Sequence, residues 1–150
     1  WVVSQANTLA SFRGWSPFVA LQIEYSLIER TVERELLPMA EAFGLTVTPW
    51  APIAGGVLSG KYTRGGERDT LRAGGNERRL TEANLAWVRQ QGSNIVPIVG
   101  ARKLDQLTDS LGSASLTLRA EHLARLTAKS KIPLGFPHEF LGTEYIRRTV

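Results

Sequence analysis

The stretch TVTPWAPIAGGVLSGKY, residues 46–62, decides how the chain is interpreted. An apolar, β-branched run at residues 45–50 predicts a buried strand. It opens into a loop of prolines, alanines and glycines that carries an aromatic ring at Trp50 and a cation at Lys61. Small residues allow a bound anion to approach the backbone N–H groups closely. The strand end therefore suits a flat, anionic ligand.

Helical and strand patterns alternate on both sides of this stretch. Apolar residues recur at three- and four-residue steps in five segments, which is typical of helices. The predicted helices are residues 1–12, 31–43, 81–91, 103–111 and 119–130. Short apolar runs predict two further strands at 18–23 and 94–99, the first with the pattern of a strand buried on both faces. Strands that alternate with helices favour an α/β fold with a parallel sheet.

Single residues refine the helices. Pro38 interrupts the second helical pattern, which predicts a kink there or a helix start near Leu37. Gly44 suits the position just past that helix. On the third predicted helix, Leu85 and Val88 are expected to point inward.

Composition limits the class of protein. The chain has 150 residues, of which 43% are hydrophobic and 21% charged, as in one soluble globular domain. No apolar run is long enough to cross a bilayer, and no signal-peptide pattern is seen. Cysteine is absent, which excludes disulfides and cysteine-based metal sites and is compatible with a cytoplasmic location. The first residue is Trp1 rather than Met, so a fragment of a longer protein is left open.

Residues 51–80 are rich in Gly, Arg and Thr, show no periodicity and predict one long loop. The arginines of this loop have no aromatic neighbours, so the net charge of +4 does not indicate a nucleic-acid partner. We interpret them as a solvated surface, with a phosphate-binding loop as the alternative. The tail at 131–150 has little regular pattern apart from a turn signal near 144–148.

A second anion site is predicted where residues 94–99 end. Gly100 allows close backbone approach, and the following helix offers unpaired N–H groups at its start. Arg102 and Lys103 add positive charge for a phosphate. A plain turn with solvent-facing cations explains the same residues equally well.

Three further residues have both a structural and a ligand-binding interpretation. Gln22 lies in an apolar run, where its amide either pairs with the backbone or faces a ligand. Trp50 either joins the core or stacks on an aromatic ligand. Lys61 either holds a phosphate or is merely exposed.

Catalytic patterns are not evident. His122 and His138 have no carboxylate or hydroxyl partner at a known spacing, and no metal-ligand spacing is present. The residues alone indicate a protein that binds an anionic, partly aromatic ligand.

Five segments together resemble the C-terminal half of a bacterial aldo-keto reductase, in the branch that includes the potassium-channel β-subunits. They are QIEYSLIER (22–30), LLPMAEAFGLTVTPWAPIAGGVLSGKY (36–62), LAWVRQQG (85–92), IVPIVGARKLDQLTDSLGS (95–113) and LGFPHEFL (134–141). The resemblance implies a partial (β/α)8 TIM barrel, with residues 1–150 as a single half-barrel domain. It would contain strands six, seven and eight.

The same resemblance implies that NADP(H) is the cofactor and assigns residues to its parts. Gln22 matches the glutamine that binds the nicotinamide carboxamide, and Trp50 matches the aromatic position against the nicotinamide ring. The residues that match the pyrophosphate loop are Ala51, Pro52, Ile53 and Gly55. Lys61 matches a phosphate-contacting lysine, and Arg72 is the best match for the arginine of the loop over the cofactor.

Gly100 and Arg102 match the turn that receives the 2′-phosphate of NADP(H). Gln106, Asp109 and Ser110 follow toward the adenosine. The family usually has Asn where Ser110 stands, and Ser where Ala51 and Arg102 stand. Arg102 therefore strengthens a preference for phosphate, whereas Ser110 departs from the expected adenine contact.

Two features of the family are missing. Its catalytic Asp, Tyr, Lys and His lie on the first four strands, so no catalytic residue is assigned, and the chain alone is expected to be inactive. Residues 80–92 leave room for one helix where the family has about two.

Three strands cannot close a barrel, so we expect self-association through exposed sheet edges. The alternative is a scaffold or regulatory module that binds no cofactor.

Overall fold

The computed structural model describes residues 1–59 and 76–147. Its helices are α1 (Val2–Arg13), α2 (Leu36–Ala42), α3 (Asn76–Arg89), α4 (Leu104–Gly112), α5 (Ala120–Lys129), α6 (His138–Leu141) and α7 (Glu144–Arg147). Its strands are β1 (Ala20–Glu24) and β2 (Thr46–Trp50), and short 3-10 segments occupy Thr31–Arg34 and Ala54–Ser59. Within these residues, every helix is too short or too polar to span a membrane.

β2 lies in the centre of the sheet. It pairs in parallel with β1, so that Ala20 lies opposite Thr46 and Glu24 opposite Trp50. On its other side, the Val96 N–H donates to the Val47 carbonyl at 2.8 Å. The third predicted strand is therefore present as a parallel-paired segment, although only one bridge residue of it has regular strand pairing.

The sheet has one covered face and one bare face. Ile23, Val47 and Ile95 point toward the helices and are at most 8% exposed. Their neighbours along the strands point the other way, and Val96 is 57% exposed. The expectation that the first strand is buried on both faces is wrong, because Gln22 lies on the bare face and is exposed.

α3 supplies the centre of the core. Leu85 and Val88 are buried, as predicted, and Ala86 and Trp87 between them are fully buried. The Trp87 ring lies 5.6 Å from that of Tyr25, centroid to centroid. The helix begins at Asn76 rather than at residue 81, so the end of the predicted loop is wrong. Residues 76–80 have no 3.6-residue apolar pattern, so periodicity did not predict this turn. Their Glu, Arg and Leu residues nevertheless favour helices.

α2 begins at Leu36 and includes Pro38 in its first turn. A proline is tolerated there because the first helical N–H groups have no partner within the helix. The predicted start near Leu37 is confirmed. Gly44 ends the helix with a φ of 64°, and the Leu45 N–H donates to the Ala40 carbonyl at 2.8 Å. This is the hydrogen bond of a Schellman cap.

A buried arginine ties helix α5 to the segment that follows β1. Arg30 is 6% exposed and donates to both carboxylate oxygens of Glu33, at 2.8 and 2.9 Å. Its remaining terminal nitrogen donates to the Thr127 carbonyl and the Ser130 hydroxyl, both at 2.8 Å. The Tyr25 hydroxyl also donates to Glu33, at 2.7 Å. We call these five residues the Arg30 cluster, and the sequence patterns did not predict it.

Candidate functional site

The carboxyl ends of β1, β2 and residues 94–98 meet at one edge of the sheet because all three run parallel. In open parallel sheets this edge is where ligands bind. The structure places β2 in the middle, so its end at Trp50 is flanked by the other two. We call this region the cofactor edge, after the cofactor that the sequence resemblance implies, and it comprises residues 22–24, 48–55 and 98–103.

Gln22 and Trp50 reach the cofactor edge on the same bare face. Gln22 lies opposite Thr48, two residues before Trp50, and side chains two apart share a face. Trp50 is 44% exposed, so the alternative that it joins the core is wrong. Gln22 is also exposed, so the alternative of a buried amide paired with the backbone is wrong.

The loop after β2 has an unusual backbone. Ala51 and Ala54 adopt positive φ angles of 51° and 49°, and Gly55 and Gly56 follow with 63° and 93°. The left-handed conformation costs a residue other than glycine about 1–2 kcal/mol. Such strain concentrates at ligand clamps and active sites, where the surrounding structure maintains it.

Two contacts hold this loop in place. The Ala54 N–H donates to the Ala51 carbonyl at 2.7 Å and closes the turn. The buried Asn84 amide of α3 donates to the Leu58 carbonyl at 3.0 Å. Pro52 is buried, whereas Ile53 is half-buried and Gly55 is exposed. The loop is therefore fixed from the core side and open on the other.

The turn before α4 presents exposed cations. Gly100, Arg102 and Lys103 are all exposed, and a Cβ added to Gly100 would meet no atom within 4 Å. The Arg102 N–H donates to the Gln106 side-chain oxygen at 3.0 Å, which links this turn to the first turn of α4. The backbone at Gly100 is thus open to a ligand, and Gln106 has a local structural partner.

The remaining predicted residues differ in accessibility. Asp109 is half-buried, and Ser110 is only 8% exposed. The role of Ser110 near adenosine stays a prediction, and most of its surface is covered by protein. Lys61 and Arg72 lie outside the described residues.

Sequence reasoning missed Glu24 and Thr48, which lie on the bare face beside Trp50 and Gln22. The signal was present in the alternation of TVTPW, where Val47 and Pro49 are buried and Thr46 and Trp50 are exposed. A strict two-residue alternation marks a strand with two different faces.

Two side chains near the cofactor edge have shifted pKa values. Burial, together with the hydrogen bond to the Glu33 carboxylate, raises the pKa of Tyr25 well above its usual value. Hydrogen bonds from the Thr31 hydroxyl and N–H lower the pKa of Glu29. In residues 1–59 and 76–147, no cluster of three His, Asp or Glu side chains could hold a metal ion.

A family model described as the aldo/keto reductase family matches residues 2–131. The chain belongs to this family. It is 29% identical over 170 residues to a probable aryl-alcohol dehydrogenase, AAD4, of Saccharomyces cerevisiae, covering 96% of this chain and 52% of the yeast protein. It is 37% identical over 145 residues to the oxidoreductase YrpG of Bacillus subtilis, covering 84% of this chain and 44% of that protein.

Solved structures of aldo-keto reductases have the same fold. The aldo/keto reductase from Klebsiella pneumoniae in complex with NADP and acetate superposes with a TM-score of 0.57 at 25% identity, over 75% of this chain and 39% of that chain. An aldo-keto reductase from the same organism in complex with NADPH gives a TM-score of 0.58 at 24% identity, over 77% of this chain and 40% of that chain. The α/β fold of this chain is a partial TIM barrel.

The chain spans about half the length of the curated relatives it matches. The alignment with the yeast protein runs over 170 residues, whereas this chain has 150. That relative therefore contains segments with no counterpart here.

Proposed function

We propose that this chain is a single half-barrel domain that binds NADP(H) for an aldo-keto reductase. The main support is the cofactor edge, where an exposed ring, an exposed amide and an open glycine backbone stand at three adjacent strand ends. A dinucleotide is long enough to contact all three. The relatives of known structure that were solved with NADP or NADPH support the choice of cofactor.

Within this proposal, Trp50 stacks on the nicotinamide and Gln22 binds its carboxamide. The loop at 51–55 surrounds the pyrophosphate, since its left-handed residues turn N–H groups toward an anion. Arg102 binds the 2′-phosphate beside Gly100. The further proposed contacts are Lys61, Arg72, Gln106, Asp109 and Ser110.

The bound cofactor would supply a hydride for carbonyl reduction, and the chain's own residues would bind and orient it. We propose that the 150-residue chain has no reductase activity alone, because the family's proton-donating tyrosine matches no residue here. Steady NADPH oxidation with a simple aldehyde by the purified chain would contradict this.

Calorimetric titration with NADPH and NADH tests the cofactor proposal. Arg102→Ala is expected to weaken NADPH binding about tenfold and leave NADH binding unchanged, because only NADPH carries the 2′-phosphate. Arg13→Ala is the matched control, since α1 ends at the opposite edge of the sheet, where β1 begins. Equal losses for both cofactors, or no NADPH binding by the unmodified chain, would overturn the proposal.

Gly100→Ala gives an independent test. The added methyl group meets no protein atom within 4 Å, so the melting temperature should not change. It would occupy the space that the phosphate needs, so NADPH affinity should fall severalfold. Unchanged NADPH affinity would place the phosphate elsewhere.

The second candidate is a scaffold that associates through its bare face without cofactor. Exposed Val96 and Ile98 on that face, and Phe18 and Val19 before β1, favour it. β1 also has only β2 as a partner among the described residues. We propose that the chain self-associates under either candidate, and sedimentation that shows a compact monomer at high concentration would exclude this. Titration with NADPH separates them, because a scaffold gives no heat of binding.

The resemblance also leads us to propose membership of the potassium-channel β-subunit branch and a cytoplasmic location. A fluorescent fusion found outside the cytoplasm would contradict the proposed location. Failure to join the β-subunit branch in a tree of full-length relatives would contradict the proposed membership.

A further inference from the structure

A groove separate from the cofactor edge lies between α3 and α5. Its volume is about 450 Å³, within the range of small-molecule sites. The lining residues are Ala83, Leu118, His122, Arg125, Leu126, Ala128 and Lys129. We call it the α3–α5 groove, and none of these residues belongs to the cofactor edge.

The walls of the α3–α5 groove are almost wholly apolar, whereas its rim is basic. Arg125 and Lys129 are exposed, and neither forms an ion pair with a side chain that the structure describes. His122 places its Nε2 atom 3.3 Å from the Arg119 guanidinium, which brings another cation to the same side of α5.

Among the side chains that the structure describes, no acidic group pairs with Arg125 or Lys129 at this rim. Glu82 precedes Ala83, but its side chain lies against α4, because a Cβ on Gly112 would collide with its carboxylate. Glu121 is exposed and lies on α5, but it is not within ion-pair distance of Arg125. The positive charge at the mouth therefore remains available to a ligand.

The groove is held open by contacts on the opposite side of α5. The Trp87 indole N–H of α3 donates to the Thr127 hydroxyl at 3.0 Å. Arg30 donates to the carbonyl of the same threonine at 2.8 Å. These bonds fix the spacing of α3 and α5 without using the groove residues, so the site is formed before a ligand enters.

We propose that the α3–α5 groove binds a medium-chain alkyl carboxylate. The apolar walls match an alkyl chain, and the carboxylate would pair with Arg125 and Lys129 at the rim. A neutral alcohol would lose the charge pairing, and an alkylamine would be repelled. The site is independent of NADP(H), since it shares no residue with the cofactor edge.

Octanoate is a suitable probe, with octan-1-ol and octylamine as comparisons. In calorimetric titrations of the whole chain, octanoate should bind at least about fivefold more tightly than octanol, and octylamine should not bind. In ¹H–¹⁵N NMR spectra, octanoate should shift the amides of Ala83 and of residues 118–129. Saturating NADPH should leave the octanoate affinity unchanged.

The double variant Arg125→Gln/Lys129→Gln should lower octanoate affinity about tenfold, since it removes both exposed cations that would pair with the carboxylate. Lys131→Gln removes an exposed cation that does not line the groove and should have no effect. Ala128→Leu should narrow the groove and weaken octanoate and octanol alike. An unchanged circular dichroism melting curve confirms that the variants fold.

Three results would overturn this proposal. Octanol could bind as tightly as octanoate, or the double variant could bind octanoate unchanged. The amide shifts could instead lie on the bare face around Val96, where exposed apolar side chains also attract an alkyl chain. None of these results would bear on the cofactor proposal, because that proposal is tested by NADPH binding alone.

Discussion

Successive residues of the strands point to the covered face and to the bare face of the sheet in turn, and the two faces differ in burial and packing. Val47 is 1% exposed and packs in the core, whereas Val96, bonded to it through the backbone, is 57% exposed. The covered face carries the packing that stabilises the fold. The bare face carries Gln22 and Trp50, which we propose to bind a ligand, so along these strands packing and the proposed binding are separated by the two-residue alternation.

Removing the charge that anchors the covered face should have the largest effect. Arg30→Ala removes the guanidinium from the Thr127 carbonyl and leaves Glu33 with the Tyr25 hydroxyl, which should lower the free energy of unfolding by about 3–5 kcal/mol. Arg34→Ala is the control, since that exposed side chain makes one hydrogen bond, to the Pro133 carbonyl at 2.8 Å. Urea unfolding measures both, and equal losses would show that the Arg30 cluster is not special.

The two valines compare the faces directly. Val47→Ala should cost about 2 kcal/mol through lost apolar burial and a residual cavity. Val96→Ala should cost under about 0.5 kcal/mol, as at other exposed positions. A large effect of Val96→Ala that depends on protein concentration in urea unfolding would show that self-association covers the bare face.

Tyr25→Phe should cost about 1.5 kcal/mol at neutral pH, because the hydroxyl donates to a carboxylate. Burial raises the folded-state pKa of Tyr25, so the folded chain keeps a proton that the unfolded chain loses above pH ~10. This contribution to stability is fully present below pH ~10 and is lost as the pH rises. Urea unfolding from pH 8 to 11 should therefore show the difference from Tyr25→Phe shrinking.

The smallest expected difference is between Gly44 and Gly100. Its φ of 64° is strained for alanine, so Gly44→Ala should cost about 1 kcal/mol in the free energy of unfolding. Gly100→Ala, at the cofactor edge, should stay within about 0.5 kcal/mol because its Cβ meets open space. Equal losses in thermal unfolding would show that Gly100 is also needed for the fold.

Local signals in the sequence predicted most of the fold. Helix periodicity located α1, α4 and α5 to within about one residue at each end, and Pro38 marked the start of α2. Parallel order followed from the alternation of elements, and it brought Gln22, Trp50 and Gly100 to one edge as expected. These features depend on neighbours in the chain, which is why a pattern reveals them.

Long-range packing explains what the sequence did not predict. The first strand was expected to be buried on both faces, but its apolar run does not show that helices cover only one of them. Arg30 carries no pattern, because its partners Thr127 and Ser130 lie far along the chain. The left-handed backbone at Ala51 and Ala54 was also missed, since alanine gives no signal for a positive φ.

The Arg30 cluster also sets the order in which the chain can fold. The hydrogen bonds from Arg30 join residues 97 and 100 positions apart, to Thr127 and Ser130 respectively. During synthesis, the Arg30 guanidinium lacks the Thr127 carbonyl and the Ser130 hydroxyl as acceptors until α5 has emerged. Contacts of such sequence separation slow folding, because a large loop must close before they form. Completion of the core therefore awaits α5, and truncation before α5 is expected to leave an incompletely packed chain.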